Sequence, residues 1–274
     1  MLHHLLYRGP YLNYHIMVLN RRLKDLLTGF SEGRLTLEEA VAEIEGFRIE
    51  EVENLARLDL GRATRCGIPE VILAEGKTPG ELGEIARRAA GAAERTVISR
   101  MAPDHVNAVE AVCKDLGTSF TWHEKAAMGV ISRGTPVPPG KGVVAVISAG
   151  TSDLRVAEEA RVIAEEMGCT VRTAYDVGVA GIHRLFPAIK KCLDAHVFVV
   201  AAGREGTLPA IVAGIVDRPV IGVPVSTGYG YMGGGQAALA SMLQSCAVVA
   251  VVNIDAGFVA GAFAARIASM VGDG

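Results

Sequence analysis

A chain of 274 residues suits one large domain or two small ones; half of its residues are hydrophobic and only 5% are aromatic. With 32 glycines and many small aliphatic residues, this is the composition of an α/β protein whose sheet is covered on both faces. The formal net charge of -3 gives no electrostatic reason to expect nucleic acid or an acidic membrane surface as a partner.

The five cysteines (Cys66, Cys113, Cys169, Cys192, Cys246) are scattered, odd in number and form no CxxC. That disfavours a disulfide framework or a zinc site and suits a reducing cytosol. No stretch reaches the roughly 18 uninterrupted apolar residues of a membrane helix; the closest, residues 248–265, is broken by Asn253 and Asp255. A cytoplasmic protein with no membrane partner is the expectation.

Residues 1–16 are apolar but contain Arg8 and Pro10 and no small-residue cleavage site, so they read as a dispensable extension or an over-long start rather than a signal peptide. Residues 17–48 read as two short helices, the second opened by a capping box at Thr36-Leu37-Glu38-Glu39. In residues 53–78, Arg57, Asp59, Arg62 and Arg65 would share one face if helical. A solvated, self-paired surface is the favoured account of that charge, and residues 69–73 read as a strand.

Thr78 and Pro79 open a helix over 78–92. Strand 94–101, helix 102–117 and short strands near 119–124 and 128–133 complete a small α/β unit. The Pro/Gly-rich segment 134–141 is the expected linker. The expected division is therefore 17–134, 135–141 and 142–274.

Beyond the linker, strands at 143–148, 170–175, 196–201, 219–224 and 248–252 alternate with helices at 153–168, 181–194, 206–216, 235–246 and 255–271. Five such βα units specify an open, doubly wound parallel sheet of the flavodoxin-like type, preceded by the small α/β domain. Ligands of such sheets bind at the strand carboxyl ends, here 148–153, 175–181, 201–206, 224–235 and 253–257. The last helix has little polar surface and many small residues, which points to close packing on another subunit and hence a homo-oligomer.

The strand, small-residue turn and helix start over residues 142–160 make a nucleotide site plausible, because free N–H groups and the positive helix end attract anions. Ser152 or Asp153 serves equally well there as a simple helix N-cap. Glu205 follows a strand and precedes a helix, the place for a general base or for an acidic residue that complements the helix dipole. The glycine-rich loop Ser226–Gly235 can approach a ligand closely or close over it. His183 and Arg184 start a helix, where they either bind phosphate or solvate the helix end. A lone cysteine such as Cys246, at a helix end, is ordinarily a small buried hydrophobe.

The segments AGTSD (149–153), AAGREGTLP (201–209), PVIGVPVSTGYG (219–230) and VVNIDAGF (251–258) resemble the aminoimidazole ribonucleotide carboxylase (PurE-like) superfamily. Together with RLDLGRATRCGIPEVILAEGKT and the LQSCA around Cys246, the chain is similar to the LarB family of pyridinium-3,5-biscarboxylic acid mononucleotide synthases, over roughly residues 17–270. Gly61 stands where that family commonly has His, and the loop reads VSTGYGYMGGG where TSVGYG is more usual.

The resemblance implies carboxylation of nicotinic acid adenine dinucleotide at ring C5 by CO₂ or bicarbonate, with phosphoanhydride cleavage releasing AMP, a step toward the nickel-pincer nucleotide of lactate racemase. It assigns a covalent role to Cys246 and the base or water-activating role to Glu205. Thr151, Ser152, Asp153, Asp176, Gly206, Ser226 and Gly228 become the expected substrate-binding residues. Mg²⁺ is expected at Asp153 and no organic cofactor is required. Two alternatives are an aminoimidazole ribonucleotide carboxylase or mutase and a non-catalytic nucleotide-binding protein. The first relies on a His in a Ser-Ala-His-Arg type motif, and the corresponding residues 175–181 contain none.

Overall fold

A computed structural model describes residues 24, 26–45, 49–52, 55–137 and 139–272 of the protein. Residues 1–16, expected to be an extension, lie outside the described residues. The chain divides into two compact units, one running up to Glu70 and the other comprising Val71–Gly274. The Pro/Gly segment 134–141 therefore joins two sheets inside the second unit.

In the first unit, residues 26–31 are helical and helix α1 (Leu37–Glu45) follows. The capping box is present: the Thr36 N–H donates to Glu39 Oε2 at 2.8 Å and the Glu39 N–H donates to Thr36 Oγ1 at 3.1 Å. Such a cap contributes about 1 kcal/mol. Strands β1 (Ile49–Val52) and β2 (Ala56–Asp59) form an antiparallel pair with Ile49 opposite Asp59. Helix α2 (Arg62–Cys66) ends at Gly67 in the left-handed conformation.

The basic residues consequently do not share one helical face, because Arg57 and Asp59 lie on a strand. They are paired nonetheless: Arg57 with Glu51 at 3.1 Å, Arg62 with Glu70 at 3.5 Å, and Arg65 with Asp59. The self-paired surface is what the sequence favoured, and each such pair contributes at most about 1 kcal/mol.

The second unit holds two sheets. The first has the order β3-β4-β6-β5, from β3 (Val71–Leu73), β4 (Arg95–Ser99), β5 (Ser119–His123) and β6 (Met128–Ser132). β3 and β4 are parallel and the other pairs antiparallel. Helix α3 (Pro79–Ala92) is capped by Thr78, whose Oγ1 accepts from the Glu81 N–H at 3.3 Å, and it packs on α4 (Pro103–Leu116). At the start of β4, Arg95 donates to Glu166 in a bidentate pair of 2.8 and 2.7 Å, tying this sheet to the following one.

The second sheet is all parallel. Its strands are β7 (Val143–Ser148), β8 (Thr170–Ala174), β9 (Val197–Ala202), β10 (Val220–Pro224) and β11 (Ala250–Val251), in the order β11-β10-β9-β7-β8. Numbered within the sheet this is 2-1-3-4-5, the flavodoxin-like order, with its switch point between β7 and β9. Every residue of β9 and β10 is buried, as continuous apolar runs require when helices cover both faces. Phe198, Ile147, Leu185 and Leu208 anchor the core.

The helices depart from their expected ends where the backbone turns. Residues 179–184 are a 3₁₀ segment with a non-helical Gly181, and helix α6 is only Leu185–Lys190. Gly206 at φ +64° delays α7 to Leu208–Ala213. Helix α5 spans Leu154–Glu166, and α8 spans Gln236–Leu243, ending three residues before Cys246. β11 shrinks to two residues at the sheet edge.

The last helix, α9 (Gly257–Gly272), corrects one expectation about its small residues, which face the protein's own α5. A Cβ on Gly257 would lie 2.2 Å from the Val156 carbonyl oxygen, and one on Gly261 would lie 2.4 Å from that of Ala160. The side chains that α9 leaves exposed are larger: Val259, Phe263, Arg266, Met270 and Val271. Among the described residues no helix is long and apolar enough to cross a membrane.

Candidate active site at the carboxyl edge

The loops that follow β7, β9 and β10 meet at the switch point, and Asp153 joins all three. One carboxylate oxygen, Oδ2, accepts from the Gly150 N–H at 2.8 Å; Oδ1 accepts from the Gly203 N–H at 3.2 Å and the Thr227 hydroxyl at 3.4 Å. Burial pushes its carboxyl above the ordinary value, against the three donors. Asp153 is thus neither a simple helix N-cap nor a free ligand. It fixes the loops among which a ligand would sit, while Thr151 and Ser152 beside it stay exposed.

Glycines set how closely these loops approach. A Cβ on Gly206 would be 2.6 Å from the Ala238 carbonyl oxygen in the first turn of α8, and one on Gly228 would be 2.8 Å from the Arg204 nitrogen. Glu205 lies between these contacts and is exposed. With Arg204, Tyr229, Tyr231 and Met232 it lines a pocket of about 320 Å³, the lower end of the range for small-molecule sites.

Asp255, four residues beyond β11, holds the start of the same loop. Its Oδ1 accepts from the Ser226 N–H at 2.9 Å and its own N–H donates to the Pro224 carbonyl at 2.9 Å. Arg100, which follows β4 of the four-stranded sheet, donates to the Asp255 carbonyl at 3.4 Å and to Glu75 at 2.8 Å. Beneath them Glu159, 2% exposed on α5, has its carboxyl pushed up to about 7 by burial; Arg155, Arg100 and the Phe258 N–H oppose that rise, and Asp255 adds to it.

At the end of β8, Asp176 has φ +56° and receives the Arg184 guanidinium at 2.7 Å. Its N–H donates to the buried Ser148 hydroxyl at 3.3 Å. Arg184 is thereby committed to Asp176, and residues 175–181 bring no histidine to this edge.

Cys246 is elsewhere. β11 runs parallel to β10 with Ala250 beside Ile221, so Cys246, four residues before it, lies at the amino-terminal edge of the sheet. Glu205 follows the carboxyl end of β9, where Ala202 pairs with Pro224. The β10 strand between these edges spans roughly 13 Å. Cys246 is exposed, unlike the buried Cys113, Cys169 and Cys192, so the small-buried-hydrophobe account does not describe it. Leu243 and Val248 beside it are 65% and 92% exposed.

The fit for a metal ion is poor. Both oxygens of Asp153 are engaged by N–H or O–H donors, and among the described residues no three His, Cys, Asp or Glu side chains converge as ligands. No buried side-chain polar atom among them lacks a hydrogen-bond partner.

Arg204, Tyr229 and Asp255 fall within the strand-end segments expected to bind ligand but were not singled out there, and Arg100 lies outside them. Asp255 and Arg204 carried one signal, since each lies a few residues beyond the carboxyl end of a strand; both adopt positive φ, +54° and +40°. Arg100 carried none, because its role depends on how two sheets meet.

A doubly wound parallel α/β protein with a small-molecule pocket between the loops that follow β9 and β10, at the carboxyl edge of its sheet, is the class this geometry defines. Comparison with known proteins narrows it. Residues 143–273 match the family described as AIR carboxylase, and residues 49–133 match the LarB/PurE-like N-terminal domain. An uncharacterized protein of Methanocaldococcus jannaschii is 38% identical across 92% of this chain and 99% of its own length. The N5-carboxyaminoimidazole ribonucleotide mutase of the same organism is 36% identical over 42% of this chain and 71% of its own. A probable mutase of that type from Methanothermobacter thermautotrophicus is 36% identical over 45% of this chain and 37% of its own. The chain belongs to the LarB family, within the PurE-like superfamily. Its two domains indicate a carboxylase- or mutase-type enzyme.

Proposed function

We propose that the protein carboxylates the pyridinium ring of nicotinic acid adenine dinucleotide at C5 and hydrolyses its phosphoanhydride, giving pyridinium-3,5-biscarboxylic acid mononucleotide and AMP. The observation that carries this reading is the presence of a LarB/PurE-like N-terminal domain ahead of an AIR carboxylase domain on one chain whose Cys246 is exposed. The mutase reading, favoured by the names of the shorter matches, leaves Cys246 without a task and finds no histidine at residues 175–181.

The electron-poor ring cannot attack CO₂ unaided. Addition of the Cys246 thiolate at an adjacent ring carbon forms a C–S bond and turns the ring into an enamine. The enamine C5 then forms a bond to the carbon of CO₂. A base removes the C5 proton, and those electrons restore the ring double bond and expel the thiolate. The net change exchanges a ring hydrogen for a carboxylate and releases one proton. Water adds separately to a phosphorus of the anhydride, and AMP leaves. Glu205, exposed in the pocket, supplies either the ring base or the activation of water.

Cys246 and Glu205 of one chain stand at opposite edges of the sheet, so the reaction requires Cys246 from a second copy. The exposed Leu243 and Val248 on either side of Cys246 are surface that such a copy would cover. No step is assigned to a metal ion.

The test is product analysis. Purified protein supplied with nicotinic acid adenine dinucleotide and bicarbonate, with and without Mg²⁺, should yield AMP and the dicarboxylated mononucleotide in equal amounts. Turnover of an aminoimidazole ribonucleotide instead would overturn the proposal.

A further inference from the structure

Arg204 is held in an unusual way. It follows β9 with φ +40°, a left-handed conformation that side-chain-bearing residues adopt at a cost and that recurs at ligand sites. Its guanidinium lies over the Tyr229 ring, 4.5 Å from the centroid, and makes no ion pair or hydrogen bond among the described residues. Glu205, the next residue, leaves it unpaired although both line the same pocket.

Two of the other pocket residues are open aromatic rings. Tyr229 is 78% exposed and Tyr231 96% exposed, both on a loop that Asp255 anchors at Ser226. A flat ring gains stacking surface on such tyrosines, and an unpaired planar guanidinium beside them takes a carboxylate through two parallel N–H donors. An uncharged carboxamide in the same place returns a weaker bond and itself carries N–H donors that would face those of Arg204.

We propose that Arg204, oriented by Tyr229, is the specificity-determining residue that selects a pyridinium ring bearing a carboxylate over one bearing a carboxamide. The inference rests on the pyridinium-dinucleotide reading above and deepens it. Glu205, adjacent in sequence, would then face the same ring from within the pocket, which accounts for the placement of an acidic and a basic residue side by side after β9.

The experiment compares the acid and amide dinucleotides as substrates for the wild-type protein, Arg204→Lys, Arg204→Ala and Tyr229→Ala. Wild type should prefer the acid by about 10- to 100-fold in kcat/KM, the range a hydrogen bond to a charged group supports. Arg204→Ala should reduce that preference to within a few-fold, chiefly by raising KM for the acid. Arg204→Lys, which keeps the charge and loses the planar fork, should retain part of it and serves if the alanine variant does not fold. Tyr229→Ala should fall between wild type and Arg204→Ala. Undiminished discrimination in the folded Arg204 variants, with KM for the acid unchanged, overturns the assignment while leaving the proposed reaction standing. A wild type that turns over neither dinucleotide overturns both.

Discussion

Glu205 and Cys246 belong to opposite edges of one parallel sheet, Glu205 beyond the carboxyl end of β9 and Cys246 ahead of the amino end of β11. If the two act on one substrate, they do so from different copies. Cys246→Ala and Glu205→Gln should each lose activity, the latter by at least about a hundredfold. Mixed assemblies of the two variants should recover up to about a quarter of wild-type activity, because one randomly formed site in four receives both intact residues. Activity that never recovers in demonstrably mixed assemblies would contradict a shared site.

The thiols should report the same asymmetry. Burial pushes Cys169 up to about 11 and raises Cys113 and Cys192, whereas Cys246 is exposed. In a Cys66→Ser background, a maleimide should label the native protein once, and Cys246→Ala should abolish that labelling. Rapid labelling of a second thiol in the native state would show that the sheet is less closed than described.

Gly206→Ala should be more damaging than its size suggests. The residue has φ +64° and no room for a Cβ beside Ala238. The substitution should destabilise the protein by more than about 1 kcal/mol, lowering Tm by a few degrees, and should displace Glu205 so that kcat falls. Unchanged thermal stability and kcat would remove the close approach of α8 from the account.

Glu159 should make stability depend on pH. Its folded-state value, about 7, lies above the ordinary 4.5, so the folded protein holds a proton that the unfolded chain has released. The resulting stabilisation is complete below about pH 4.5 and is lost as pH rises through about 7, an effect on the order of 3 kcal/mol. Urea unfolding between pH 5 and 8 should show this decline, and Glu159→Gln should flatten it. Equal slopes for both proteins would assign the dependence elsewhere.

Periodicity and turn residues made much of the fold legible. The apolar runs at 143–148 and 196–201 and the capping residues Thr36 and Thr78 each appear close to where the sequence puts them. Helix ends were less legible: a positive φ at Gly206 and the irregular Gly181 depend on what lies across from them. The charged stretch around Arg57 and Arg65 has spacing that suits a helix, yet pairing with β1 draws its first part into a strand.

The site divided along similar lines. That Ser148–Asp153, Ala201–Gly206 and Ser226–Gly228 would share one edge followed from the strand alternation alone. That Asp153 would be consumed by joining them did not, since three donors from three loops converge only after folding. Arg204 and Tyr229 are 25 residues apart and became a pair only through the glycine contact at Gly228.

The most direct measurement is intact-protein mass spectrometry of the protein quenched during turnover with nicotinic acid adenine dinucleotide and bicarbonate. The account predicts an adduct of the pyridinium substrate or its carboxylated form, mapped to Cys246 and missing from Cys246→Ala, which forms no dicarboxylated product. Full carboxylation by Cys246→Ala would contradict it.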